Sequence, residues 1–248
     1  MAAFAVCTGF ILIVCSLLNW FYSEHVIRKQ ESFEKVAGIY ALIVIAAAVT
    51  LRFLQNELPD ALLIGALLKF SASLPTVLFA LKGYQMRWTR FGFYILLAIC
   101  CCMIADVSIN ISFAAGGLFF LAGHLIYDFA FLSEIRPSVR QILLWLILIA
   151  LMILSVYALR NAIGSTADTI GWAVYFMILI STIVFSWSLE KPVFAAVLVF
   201  AFSDCFLFFN SYFQGTMLMT ILALLVYYGS LLLYGAALWI RNHRIETA

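Results

Sequence analysis

Nine stretches of the chain are almost free of polar side chains: residues 4–21, 37–54, 61–81, 91–113, 115–132, 142–159, 170–189, 193–209 and 217–240. A helix that crosses the hydrocarbon core needs about 20 mostly apolar residues, because lipid offers no partner to an unpaired backbone N–H or C=O. The pattern therefore predicts an all-α, polytopic transmembrane bundle of eight to nine helices, with residues 1–248 forming a single domain. No basic stretch precedes the first run, and Arg28, Lys29 and Lys35 follow it. It is expected to be a retained helix and not a cleaved signal.

The residues between the runs alternate in charge. Arg28, Lys29, Lys35, Lys82, Arg87, Arg90, Arg136, Arg140, Lys191, Arg241 and Arg244 fall in the odd-numbered connections and the C-terminal tail, whereas the even-numbered connections hold only Arg52 and Arg160. Lys and Arg gather on the cytoplasmic side of a membrane protein, so the alternation predicts an external N-terminus and a cytoplasmic C-terminus. Trp20, Tyr22, Trp88 and Trp239 sit near run ends, where amphipathic rings prefer the headgroup layer.

Composition agrees and excludes other classes. The chain is 66% hydrophobic and 10% charged, with a mean hydropathy of +1.12, far from a soluble globular domain. Its net charge of +2 is small and its basic residues are scattered, which argues against a nucleic-acid partner. Cys7, Cys15, Cys100, Cys101, Cys102 and Cys205 all lie in apolar runs without a C-x-x-C pair, and read as small packing residues.

Against this background a few polar residues stand out. Lys69, Asp106, His124, Asp128 and Asp204 lie inside predicted spans, where an ionisable group costs several kcal/mol unless it is paired or used. Counted from the predicted run ends, Lys69, Asp106, His124, Asp204 and Tyr227 fall roughly six to ten residues from the outer boundary, a shared layer about 9–15 Å deep. Helical spacing places Gly65, Lys69, Ser73 and Thr76 on one face. It does the same for Asp106 with Asn110, for His124 with Tyr127 and Asp128, and for Tyr227 with Ser230 and Tyr234.

Two readings stand side by side. In the first, these groups are interhelical clamps: Lys69 pairs with Asp106 or Asp204, His124 donates to Asp128 one turn on, and Tyr227, Tyr228 and Tyr234 are wall. Asn110 and Asn210 near the outer ends are then helix caps or interface residues. In the second, they form a shared pocket.

The order and spacing of Leu68-Lys69, Ala105-Asp106, His124 to Tyr127, Ser203-Asp204 and Tyr227-Tyr228 resemble the YhhN family of lysoplasmalogenases over about residues 67–234. This chain departs from the family pattern in having Ala105 in place of a glycine, Phe70 where a proline usually follows the lysine, and Gly229-Ser230 where Ala-Gln is frequent. The family has the look of an eight-helix core, which would make the first or second helix an addition here. The resemblance implies hydrolysis of the vinyl ether of a lysoplasmalogen, releasing a fatty aldehyde and a glycerophosphoethanolamine or glycerophosphocholine. Its partners would be a lysophospholipid substrate and membrane lipid, with no cofactor. The expected setting is multi-pass, in a bacterial plasma membrane, with the site in the outer half of the bilayer.

Such a hydrolysis protonates an alkene carbon and then adds water to an oxocarbenium ion, so it needs a proton donor, a counter-charge and a base. Two carboxylates in different protonation states can supply them. Asp106 and Asp204 are the candidates, the acid being decided by which one Lys69 approaches. Lys69 is otherwise a point charge for the lipid phosphate. His124 is the candidate for activating water, with Asp128 fixing its tautomer. Tyr127, Tyr227, Tyr228 and Asn110 are expected at the substrate, and Ser203, like Asp128, in a structural, orienting role. Two rival functions use the same residues: a proton-coupled lipid or small-molecule transporter cycling protons on Asp106 and Asp204, and a zinc-dependent lipid hydrolase ligated by Asp106, His124 and Asp204. One histidine is thin provision for zinc, and no metal is expected.

Overall fold

The computed structural model describes residues 7–18, 30–57, 62–213 and 216–246. Within them the regular structure is helical: α1 (Cys7–Leu18), α2 (Gln30–Glu57), α3 (Leu62–Met86), α4 (Arg90–Ser108), α5 (Phe113–Leu132), α6 (Val139–Ile163), α7 (Thr166–Ser186), α8 (Lys191–Tyr212) and α9 (Met217–Glu246). Each of the nine predicted runs falls on a helix among the described residues. Seven of them, α3 to α9, are long and apolar enough to cross a membrane, whereas described α1 and the apolar part of α2 (Lys35–Thr50) are shorter. The predicted run at 4–21 lies partly outside the described residues.

Helix starts carry the side chains that satisfy otherwise unpaired amides. Thr89 accepts from Gly92 N at 3.0 Å, Ser138 forms a capping box with Gln141, and Ser165 accepts from Asp168 N at 2.9 Å. Pro192 opens α8, where its missing N–H costs nothing.

One boundary differs from the pattern in a way that matters for the site. The apolar run at 91–113 does not continue as helix: α4 ends at Ser108 and residues 109–112 turn into α5. Asn110 stops the helix, its amide donating to the carbonyls of Asp106 at 2.9 Å and Val107 at 3.2 Å, and Ser112 caps α5. Ile109, Ile111 and Phe113 are apolar, so hydropathy alone runs straight through this turn. Tight packing fixes it, since a Cβ on Gly116 would stand 2.5 Å from the Ile109 Cβ.

Six helices close into a ring in the order α3, α4, α5, α7, α8, α9 and back to α3, each packed on its neighbours. α6 is skipped: it packs on α7 from outside and buries little of its surface. α2 lies outside the α3–α9 seam. Small residues let the ring helices approach. A Cβ on Gly235 of α9 would meet Phe79 Cδ1 at 2.8 Å and Ala80 N at 3.2 Å on α3, and one on Gly123 of α5 would meet Cys102 Sγ at 3.3 Å on α4. Cys102 is thus a packing residue, and all six cysteines are free.

One end of the ring is shut. Arg241 on α9 pairs with Glu134 at 2.6 Å, reaches Glu190 at 3.7 Å and lies 4.2 Å over the Phe91 ring, while Asn242 donates to Gly83 O at 2.7 Å. An aromatic column fills the axis above this clasp. Phe91 meets Phe131 at 6.4 Å, Phe131 meets Tyr127 at 6.2 Å, and Tyr127 stacks on Tyr234 at 4.2 Å with the rings 10° apart. Lys69, Asp106, His124 and Asp204 lie beyond this column, toward the other end.

Candidate functional site

Asp106 occupies the last turn of α4, two residues before its end at Ser108, not the deeper position the longer run implied. It is 5% exposed. Its Oδ2 accepts hydrogen bonds from Ser73 of α3 and from the Tyr227 hydroxyl of α9 at 3.0 Å, while Oδ1 makes none among the described residues. Ser73 lies one turn beyond Lys69 on the same face of α3, which is how that face delivers a hydroxyl to α4. Lys69 is within electrostatic reach of Asp106 but makes no ion pair with either carboxylate among the described residues. The ion-paired Lys69 clamp is therefore not formed with Asp106 or Asp204.

Asp204, 3% exposed, sits on α8 across the ring. Its Oδ2 accepts from His124 Nε2 of α5 at 3.2 Å and from the Tyr175 hydroxyl of α7 at 2.9 Å. Its Oδ1, like that of Asp106, makes no hydrogen bond among the described residues. A carboxylate only accepts, so in a neutral imidazole this contact puts the proton on Nε2 and leaves Nδ1 as the lone-pair nitrogen. Nδ1 is buried with no partner among the described residues.

The two carboxylates are joined through a narrow core. The Phe200 ring stands edge-on to His124 at 4.8 Å and to Tyr227 at 5.6 Å, between the Asp204 side and the Asp106 side. Cys102 lies within electrostatic reach of both carboxylates, and its carbonyl is 3.4 Å from the Tyr227 hydroxyl. Tyr227 also meets Phe120 edge-on at 5.7 Å. Residues from all six ring helices thus meet in one interior layer.

The geometry bears on three of the sequence readings. His124 pairs with Asp204 from another helix, not with Asp128 one turn along; Asp128 lies against Thr182 of α7, its Oδ1 unpartnered among the described residues. Asp204 therefore stands at the imidazole where Asp128 was expected. Asn110 spends its amide on capping α4, next to Gly65. The zinc reading loses its ligand set, since no three His, Cys, Asp or Glu side chains among the described residues are placed to hold a metal ion.

The other expected residues are all interior. Tyr127 and Tyr228 are fully buried with hydroxyls unpartnered among the described residues, Tyr228 lying against Tyr227 at 4.7 Å, and Ser203 is buried on α8. Tyr175 and Phe200 went unnoticed in the sequence. The available signal was weak: Trp172, Tyr175, Leu179 and Thr182 recur at helical spacing on the buried face of α7, a pattern shared with any packed helix.

A sequence model of the YhhN family matches residues 66–237. The chain belongs to the YhhN family. The matched segment runs from α3 to α9 and coincides with the seven apolar helices, so the ring and both carboxylates are the family's part of the molecule, and α1 and α2 lie outside it. No curated protein and no solved structure matches the chain. Membership of the YhhN family is consistent with a membrane hydrolase.

Proposed function

We propose that this YhhN protein hydrolyses the vinyl ether bond of lysoplasmalogens, with Asp106 as the acid and the Asp204–His124 pair as the base. The observation that carries the reading is the contrast between the two carboxylates. Among the described residues, Asp204 is held by a histidine whose Nδ1 has no partner, whereas Asp106 has only hydroxyl partners, both on Oδ2. Lys69 makes no ion pair with either carboxylate among these residues, so the imidazole and not the lysine selects Asp204 as the anion and leaves Asp106 Oδ1 to carry the proton.

The steps balance on these residues. Asp106 Oδ1–H delivers its proton to the alkene carbon, and the resulting oxocarbenium ion forms beside the Asp204 carboxylate. His124 Nδ1 takes a proton from water as its oxygen adds to the cationic carbon, giving a hemiacetal. The hemiacetal hydroxyl then returns a proton to Asp106 while the glyceryl oxygen leaves with the proton held by His124. Aldehyde and glycerophospholipid depart, and both residues regain their starting states. The division of labour parallels that of paired carboxylates in glycoside hydrolysis, with the imidazole oriented as in an Asp–His dyad.

The headgroup phosphate would meet Lys69, whose ammonium group makes no ion pair with the carboxylates and which lies on α3 toward the end where α4 turns into α5. The ring end carrying Arg241 is closed by its ion pairs and by the aromatic column, so the substrate enters from the opposite end or between helices there. With the orientation the loop charges imply, that end faces the external leaflet. The deciding assay is release of fatty aldehyde from a lysoplasmenyl lipid by the purified protein in detergent, with Asp106→Asn and Asp204→Asn as controls. Aldehyde release excludes a pure transport function. Its absence across ethanolamine and choline headgroups rejects the hydrolase reading.

A further inference from the structure

We propose that Tyr175, through its hydroxyl, is the positioning residue that holds the Asp204–His124 pair in its working orientation; this rests on the function proposed above. Tyr175 touches both members. Its hydroxyl donates to the same Asp204 oxygen that receives His124 Nε2, at 2.9 Å, and its ring stands edge-on to the imidazole at 5.5 Å and 85°. The three residues come from three different helices, α7, α8 and α5, and α7 is the ring helix packed between the other two. Tyr175 is held in turn by Trp172, whose ring meets it edge-on at 5.7 Å and whose Nε1 is anchored on the Tyr212 hydroxyl of α8 at 2.8 Å.

The consequence is geometric. Two donors on one oxygen fix the plane of the Asp204 carboxylate, because a partial rotation about Cβ–Cγ carries that oxygen away from both and strands the Tyr175 hydroxyl, and Tyr175 is only 9% exposed. With the carboxylate fixed and Phe200 closing the imidazole from another side, His124 has one orientation, in which Nδ1 points away from Asp204. Removing the hydroxyl alone frees the carboxylate to rotate and lets the aim of Nδ1 drift, although nothing that touches substrate has been removed.

The test is Tyr175→Phe, which deletes one oxygen and keeps the ring. Loss of a hydrogen bond to a charged group predicts a fall in kcat of about tenfold with KM unchanged. In a His124→Asn background the same change costs less than about twofold, since nothing remains to be positioned. An unchanged kcat in Tyr175→Phe, or the same loss in both backgrounds, overturns the proposal. A second measurement needs no substrate. In protein with 15N-labelled histidine, the His124 signal is identified by its absence in His124→Asn. It shifts or broadens in Tyr175→Phe, while the signals of His25 and His243 stay in place. An unmoved His124 signal refutes the positioning role. If the wild-type protein releases no aldehyde and the signal still moves, the function reading falls and the positioning role stands.

Discussion

Replacing Asp106 with Asn isolates the proton from the architecture that holds it. The carboxylate takes part in two hydrogen bonds, both as acceptor at Oδ2, from Ser73 and from Tyr227 at 3.0 Å. The Asn carbonyl accepts the same two hydroxyls, and its NH2 takes the place of Oδ1, which has no partner to lose among the described residues. Folding should therefore change by no more than about 1 kcal/mol, the worth of one altered neutral hydrogen bond. The chemistry loses more. An amide cannot deliver a proton to carbon, and general acid catalysis is worth about 10² to 10⁴-fold. With the carboxylate that Asp106 becomes on giving up its proton also lost, leaving Asp204 as the one counter-charge, Asp106→Asn is expected to lower kcat by about 10³-fold or more. Coupling aldehyde release to NADH oxidation by an alcohol dehydrogenase reads this directly on purified protein, and a thermal-shift scan in the same detergent checks the fold. Turnover within tenfold of wild type, from a variant that melts normally, would refute Asp106 as the acid.

The remaining predictions probe the headgroup, the ring, the metal question and the orientation. Lys69→Gln should raise KM about tenfold, a loss of about 1.4 kcal/mol, with little change in kcat, as steady-state kinetics on lysoplasmenylethanolamine will register. Gly235→Leu should destabilise by about 1–3 kcal/mol by pushing α9 off Phe79 and Ala80, whereas Gly117→Ala, with open space around it, should leave the melting temperature unchanged. Turnover after exhaustive dialysis against EDTA should equal that of untreated enzyme; a loss restored by zinc would revive the metal-dependent reading. A reporter inserted after Gly164, where α6 turns into α7 at positive φ, should be external, and one fused at the C-terminus cytoplasmic. The opposite result would invert the proposed entry side.

The sequence alone determined the class of the molecule and most of its parts. Apolar runs about 20 residues long have one stable outcome in lipid, so the helical runs and the rarity of polar groups among them follow from composition and spacing. The same economy made Asp106, His124, Asp128 and Asp204 conspicuous, because a charge in hydrocarbon needs a reason. The tertiary structure decided everything that depends on which helix faces which. Helical spacing puts His124 and Asp128 on one face, but the imidazole turns to Asp204 because the ring skips α6 and brings α7 and α8 against α5. The hydroxyl partners of Asp106 come from α3 and α9, 33 and 121 positions away in the chain, a separation no local pattern encodes. Tyr175 carried no mark in the sequence, since a buried tyrosine in an apolar run looks the same whether it fills space or holds a carboxylate. Only the closing of the ring distinguishes the two.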